Sequence, residues 1–113
     1  MCSPNDLERL LRETVQGLRG IFGDRLDSVI LYGSYARGDY DDESDVDVMA
    51  MLNLPRAQIA GYREQVSELA FEIGLKYDVL LSVKLQEKAF FDRCFAASSF
   101  YQNVTRDGIR IDG

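Results

Sequence analysis

Two apolar runs frame this chain and limit what it can fold into. SVILY, residues 28–32, stops at Gly33, and VDVMAML, residues 46–52, begins just after Asp45. Each reads as a short buried strand. The segment between them, GSYARGDYDDESD, is polar, and six carboxylates fall within the nine residues from Asp39 to Asp47. No base sits among those six. Like charges this dense at the start of an apolar strand repel one another unless water or a cation separates them.

The rest of the chain supplies helices around these strands. Ser3 is a suitable N-cap, Pro4 suits the first helical position, and Leu7, Leu10, Leu11, Val15 and Leu18 recur at helical spacing up to Gly20 and Gly23. Pro55 opens a second helix whose apolar stripe is Ile59, Tyr62, Val66, Leu69, Ala70 and Ile73, with Gly74 as its expected end. YDVLLSV, residues 77–83, reads as a third strand, apolar on both faces. Residues 86–95 and 98–106 read as two short helices, the second capped by Ser98. The order predicts an α/β (α+β) fold: a small mixed sheet of about three or four strands flanked by helices, as a single domain over residues 1–113.

Composition removes several chemistries. The 113 residues contain no histidine, which excludes Ser-His-Asp and Cys-His nucleophile systems and His-ligated zinc. A net charge of −6 argues against stable nucleic-acid binding through a basic face. Cys2 and Cys94 lie far apart, outside any CxxC pattern, and read as reduced thiols. No apolar run is long enough to span a membrane and no leader is visible, so a cytoplasmic location is expected.

The segment from Gly33 to Asp47 can be tested against three kinds of site. Gly33 and Gly38 have the spacing of a phosphate-binding P-loop, but Asp39 and Tyr40 stand where Lys and Ser/Thr are required. An EF-hand fails because Ser44 replaces the turn glycine and Ala50 replaces the bidentate Glu. A two-metal phosphoryl-transfer site fits better. Asp45 and Asp47 are two apart at a strand start, so they share a face while Val46 and Val48 point into the core. Two Mg²⁺ ions about 3.5–4 Å apart would neutralise such a pair and clamp both oxygens of an in-line displacement. Gly33 lets the backbone approach a phosphate, Ser34 adds a hydroxyl donor, Arg37 offers a planar cationic fork, and Gly38 lets the chain leave the turn.

Gly33-Ser34, ten residues, then Asp45-x-Asp47 resembles the signature of the polymerase β-like nucleotidyltransferase superfamily. The fuller match, Gly33-Ser34-Tyr35-Ala36-Arg37-Gly38 with Ser44-Asp45-Val46-Asp47, is similar to its minimal nucleotidyltransferase (MNT) branch. The resemblance covers roughly residues 27–52 strongly. It reaches the third strand and the tail FYQNVTRDGIRI more weakly. It implies a third acidic ligand on a later strand, for which Asp78 fits best and Glu72 less well. It also implies two Mg²⁺ ions held by Asp45, Asp47 and Asp78, ATP as substrate, and Gly33, Ser34, Arg37 and Gly38 as nucleotide-binding residues. The implied partner is a HEPN-type ribonuclease toxin. The chain would act as its antitoxin by moving AMP from ATP to a toxin hydroxyl, most simply a tyrosine.

Plainer roles compete at each position. Asp39, Asp41, Asp42 and Glu43 read as a solvated loop. Tyr35 and Tyr40 read as packing residues, and Phe90, Phe91 and Phe95 as core. Lys84 reaches either a phosphate or solvent. Two other functions stay open: an antitoxin that neutralises its toxin by binding alone, and a nucleotidyltransferase acting on a small molecule of the aminoglycoside type. Homo-oligomerisation also stays open.

Overall fold

The computed structural model describes residues 3–41 and 43–112. The expectations for Cys2 and Asp42 lie outside the described residues. Helix α1, Pro4–Phe22, starts where expected: the Ser3 hydroxyl accepts from the Asp6 amide at 3.1 Å, and Pro4 needs no donor there. Strand β1, Leu26–Tyr32, follows and ends at Gly33. A one-turn helix α2, Ser34–Arg37, and the acidic loop lead to strand β2, Val46–Leu52. Helices α3, Arg56–Ile59, and α4, Arg63–Tyr77, are joined by a single 3-10 turn. Strand β3, Leu81–Glu87, helices α5, Lys88–Cys94, and α6, Ser99–Asp107, and a two-residue strand β4, Ile109–Arg110, complete the chain.

The sheet is mixed, with strand order β3-β2-β1-β4. Strand β1 runs antiparallel to β2 and to β4, while β2 and β3 are parallel. The fold is therefore the expected mixed α/β type, with four strands flanked by helices. Alternation divides β2 between two cores. Val46, Val48, Ala50 and Leu52 pack in one cluster with Leu10 and Leu18 of α1 and Val66, Ala70 and Ile73 of α4. Met49 and Met51 face the other way, toward Phe91 of α5 and Val104 of α6. Val46, Val48, Met49 and Leu52 are fully buried. Each such side chain contributes on the order of 1.5–3 kcal/mol, so β2 is the most firmly held strand. The residue that breaks its burial pattern is Asp47.

Two boundaries depart from expectation. Gly74 does not end α4. It is buried inside the helix, and a Cβ there would meet the Val79 carbonyl oxygen at 2.6 Å. The glycine serves the close return of the chain, and the Val79 amide bonds back to the Gly74 carbonyl at 3.0 Å. The helix therefore runs on to Tyr77. The third strand begins at Leu81, not at residue 77.

Candidate functional site

The turn after β1 is built by backbone geometry. Gly33 has φ +77° and Gly38 φ +82°, both on the side of the backbone map that favours glycine. Between them α2 closes as one turn. The Gly33 carbonyl accepts from the Ala36 and Arg37 amides, both at 3.1 Å, and the Ser34 carbonyl accepts from the Gly38 amide at 2.9 Å. Tyr35 is buried beneath the turn and stacks on Tyr40, ring centroids 4.2 Å apart. Both tyrosines are thus packing residues, as expected.

Gly33 lies against Asp47. A Cβ at Gly33 would stand 2.5 Å from Asp47 Oδ2, so the turn and the carboxylate share space that only glycine leaves free. Asp47 is half-buried, and Asp45, just before β2, is exposed. Burial pushes the Asp47 carboxyl above the ordinary range, the negative charge of Asp45 pushes it further, and Arg37 partly offsets both. The expected like-charge pair is therefore assembled, with the Arg37 cation in its field. Arg37 also pairs with Asp39 at 3.2 Å.

The other described carboxylates of the acidic loop form no metal-holding group with this pair. Asp39, Asp41 and Glu43 are exposed. Asp41 organises the turn: its Oδ1 accepts from the Glu43 amide at 2.9 Å, and the Asp41 amide bonds to Ser44 Oγ at 2.9 Å. This is local Asx-type turn chemistry.

The structure corrects the expected place of Asp78. It does not lie on β3 beside Asp47. It caps α4 in the left-handed conformation, φ 54° and ψ 48°, with its side chain exposed. Aspartate tolerates that conformation better than most residues. The parallel register instead puts Ser82 opposite Asp47, and Lys84 two residues further along the same face. Among the described residues, no group of three or more Asp, Glu, Cys or His is gathered closely enough to hold a metal ion. Glu72 is exposed on α4.

Register also reveals neighbours that local sequence could not. Tyr32 of β1 is the Cα partner of Asp47. Burial, and then the Asp47 charge, raise the Tyr32 hydroxyl above its ordinary pKa. The Tyr32 ring meets Phe100 edge-on at 5.8 Å, and Lys84 Nζ lies 5.3 Å from the Phe100 centroid. Asp47 therefore sits beside an aromatic wall and a lysine on the side facing α6.

As a cation site, the donor set is partly formed. Two carboxylates beside a glycine-bracketed turn fit Mg²⁺, which takes one or two carboxylates and completes its shell with other oxygens and water. The three-carboxylate set is not brought together. Among the described residues, no helix is long and apolar enough to cross a membrane.

Comparison with known proteins adds the following. Residues 11–107 match the family model described as "Nucleotidyltransferase domain". A Methanocaldococcus jannaschii protein provisionally named a protein adenylyltransferase is 34% identical over 107 residues, spanning 94% of this chain and 99% of that protein. A crystal structure of a provisionally named nucleotidyltransferase from Sulfolobus solfataricus shares the fold with TM-score 0.61 and 21% identity, covering 91% of this chain and 77% of that one. A structure of tri-AMPylated Shewanella oneidensis HEPN toxin in complex with MNT antitoxin matches with TM-score 0.55 and 19% identity, over 91% of this chain and 69% of that one.

Proposed function

This chain belongs to the nucleotidyltransferase-domain family, and we propose that it moves AMP from ATP to a hydroxyl of a partner protein, releasing pyrophosphate. The partner in this reading is a HEPN-type ribonuclease toxin, the acceptor a tyrosine, and the chain its cytoplasmic antitoxin, a minimal domain over residues 1–113. The provisional name of the Methanocaldococcus relative and the fold shared with an MNT antitoxin bound to an AMPylated toxin support this assignment.

The observation that carries the reading is the contact geometry of Gly33 against Asp47, with Asp45 adding to the charge. The Ser34 hydroxyl and the start of α2 meet the terminal phosphates, and Arg37 neutralises them. Asp45 and Asp47 hold Mg²⁺, which when bound would offset the charge that gathers on the reacting phosphate. Asp47, fixed by β2 and by the turn, orients the nucleotide, and Tyr32 and Phe100 keep water from that side. As the acceptor oxygen attacks the α-phosphorus, its proton passes to water, and the bond from that phosphorus to the bridging oxygen breaks with its electron pair leaving on pyrophosphate.

A second reading has a specific observation in its favour. With Asp78 at the cap of α4, no third carboxylate among the described residues completes a metal-holding group with the pair. An antitoxin that neutralises its toxin by binding, with the nucleotide site serving regulation, needs no more than this. One experiment separates the two. The protein is incubated with Mg²⁺ and α-labelled ATP in lysate from its own host, beside Asp45→Asn and Asp47→Asn variants. A labelled protein band that requires both carboxylates supports transfer. Absence of label, with partner binding retained by all three proteins, supports neutralisation by binding.

A further inference from the structure

The most exposed large hydrophobic side chains are not scattered. Phe71 is 65% exposed, Leu75 66% and Leu80 64%, and all three line one apolar depression of about 300 Å³ between α4 and the start of β3. Phe71 and Leu75 are four apart on α4, so they form a stripe. That stripe is separate from the core stripe of Val66, Ala70 and Ile73, and the helix therefore carries a second apolar face that the fold leaves bare. A neighbouring depression of about 350 Å³ shares Ala70, Phe71, Leu80 and Leu81 with the first and is also lined by Asp45 and Ser82. The two make one groove that includes Leu75 and Asp45 in its lining.

The rim of this groove is acidic. Glu68 is exposed one helical turn before Phe71, Asp78 lines the first depression and Asp45 the second, while Glu72 faces the α1 side of the helix with Lys76. The exposed Asp41 and Glu43 lie just before Asp45 in the chain. Among the described residues, no lysine or arginine lines either depression. The surface thus asks for an apolar strip flanked by positive charge. A second copy pairing groove to groove would set acid against acid.

We propose that this groove docks the acceptor protein through a surface element with an apolar stripe bordered by Lys or Arg, and so delivers its hydroxyl to Asp45 and Asp47. The inference rests on the protein-acceptor reading above and names the surface that reading requires. Phe71 and Leu80 anchor the element, and the acidic rim fixes its direction along the groove.

The test uses the whole chain. The acceptor is purified as the protein that the wild type labels with α-labelled ATP in host lysate. Phe71→Ser with Leu75→Ser removes the stripe, and Glu68→Lys reverses the rim charge beside Phe71. All three positions are exposed, so both variants keep the fold, which thermal unfolding checks. The expected result is a KM for the acceptor raised about tenfold or more in each variant, with ATP binding by the isolated protein unchanged. Labelling by both variants at the wild-type KM overturns the inference while leaving the protein-acceptor reading intact. A wild-type dimer in sedimentation that Phe71→Ser dissociates also overturns it, because a second copy then covers the groove. Wild-type protein that binds ATP but labels no protein overturns the reading and the inference together.

Discussion

Gly33 and Asp47 meet across the mouth of the β1–β2 pair: any Cβ at residue 33 would lie 2.5 Å from Asp47 Oδ2. The glycine at the turn and the carboxylate on the strand are one device. The turn and the carboxylate can lie this close only because residue 33 carries no side chain.

Gly33→Ala tests that device. The new methyl group displaces Asp47, and φ +77° strains an alanine by about 1–3 kcal/mol. Misplacement by roughly 1 Å is expected to lower AMP transfer on the order of 100-fold. Single-turnover kinetics and urea unfolding check the two effects separately. Unaltered transfer would show that the contact does not position the carboxylate.

Asp47→Asn should separate stability from activity. Burial, with Asp45 adding repulsion, raises the Asp47 pKa in the folded protein. The stabilising protonated form is fully present below the ordinary aspartate value and is lost as pH rises through the raised one. At pH 7 in chelator, ionised Asp47 therefore burdens the fold, and Asp47→Asn is expected to raise Tm. That advantage disappears on acidification below the ordinary range. Mg²⁺ with ATP should raise the Tm of the wild type and not of the variant. A lower Tm for Asp47→Asn in chelator would contradict the electrostatic account.

Asp112 predicts the opposite pH dependence. Its carboxylate is fully buried, where it accepts from the Val29 amide at 3.1 Å and pairs with Arg110 at 2.9 Å and Arg19 at 3.3 Å. Burial alone would raise its pKa, but the Arg110 and Val29 hydrogen bonds outweigh it and the net shift is downward. Its stabilisation is present above the ordinary aspartate value and lost as pH falls through the lowered one. Asp112→Ala leaves the Val29 amide unpaired and should cost about 1–3 kcal/mol at pH 7. The gap between variant and wild type should narrow at strongly acidic pH, as followed by denaturant titration.

Arg37 is expected to act on binding. It is half-exposed, pairs with Asp39, and lies in the field of Asp47. Arg37→Gln should raise the KM for ATP by about tenfold with little change in kcat, as for a group that binds ground state and transition state alike. Unchanged KM would place Arg37 outside the nucleotide site.

Much of this arrangement was legible from local pattern. β2 announces itself because Val46 and Val48 alternate with Asp45 and Asp47, and the turn because Gly33 and Gly38 bracket it. Ser98 caps α6 as its sequence suggests, accepting from the Tyr101 amide at 3.1 Å. What escaped is set by tertiary contact. Gly74 reads as a helix stop, yet it is the point where Val79 crosses α4, and that moved Asp78 off the strand. Ser82 and Tyr32 became neighbours of Asp47 through strand register, which no local spacing encodes. Phe71 and Leu75 lie off the core stripe of their helix, and that spacing was the available signal for the groove. Strand β4 spans two residues, too short for any periodicity.

The most direct test is the intact mass of the acceptor protein after incubation with Mg²⁺ and ATP. Wild-type protein is expected to add one or more AMP units, and Asp45→Asn and Asp47→Asn each to abolish the addition while still binding the acceptor. An acceptor that stays unmodified although the wild type binds it, or that both variants modify as fully as the wild type, would contradict this expectation.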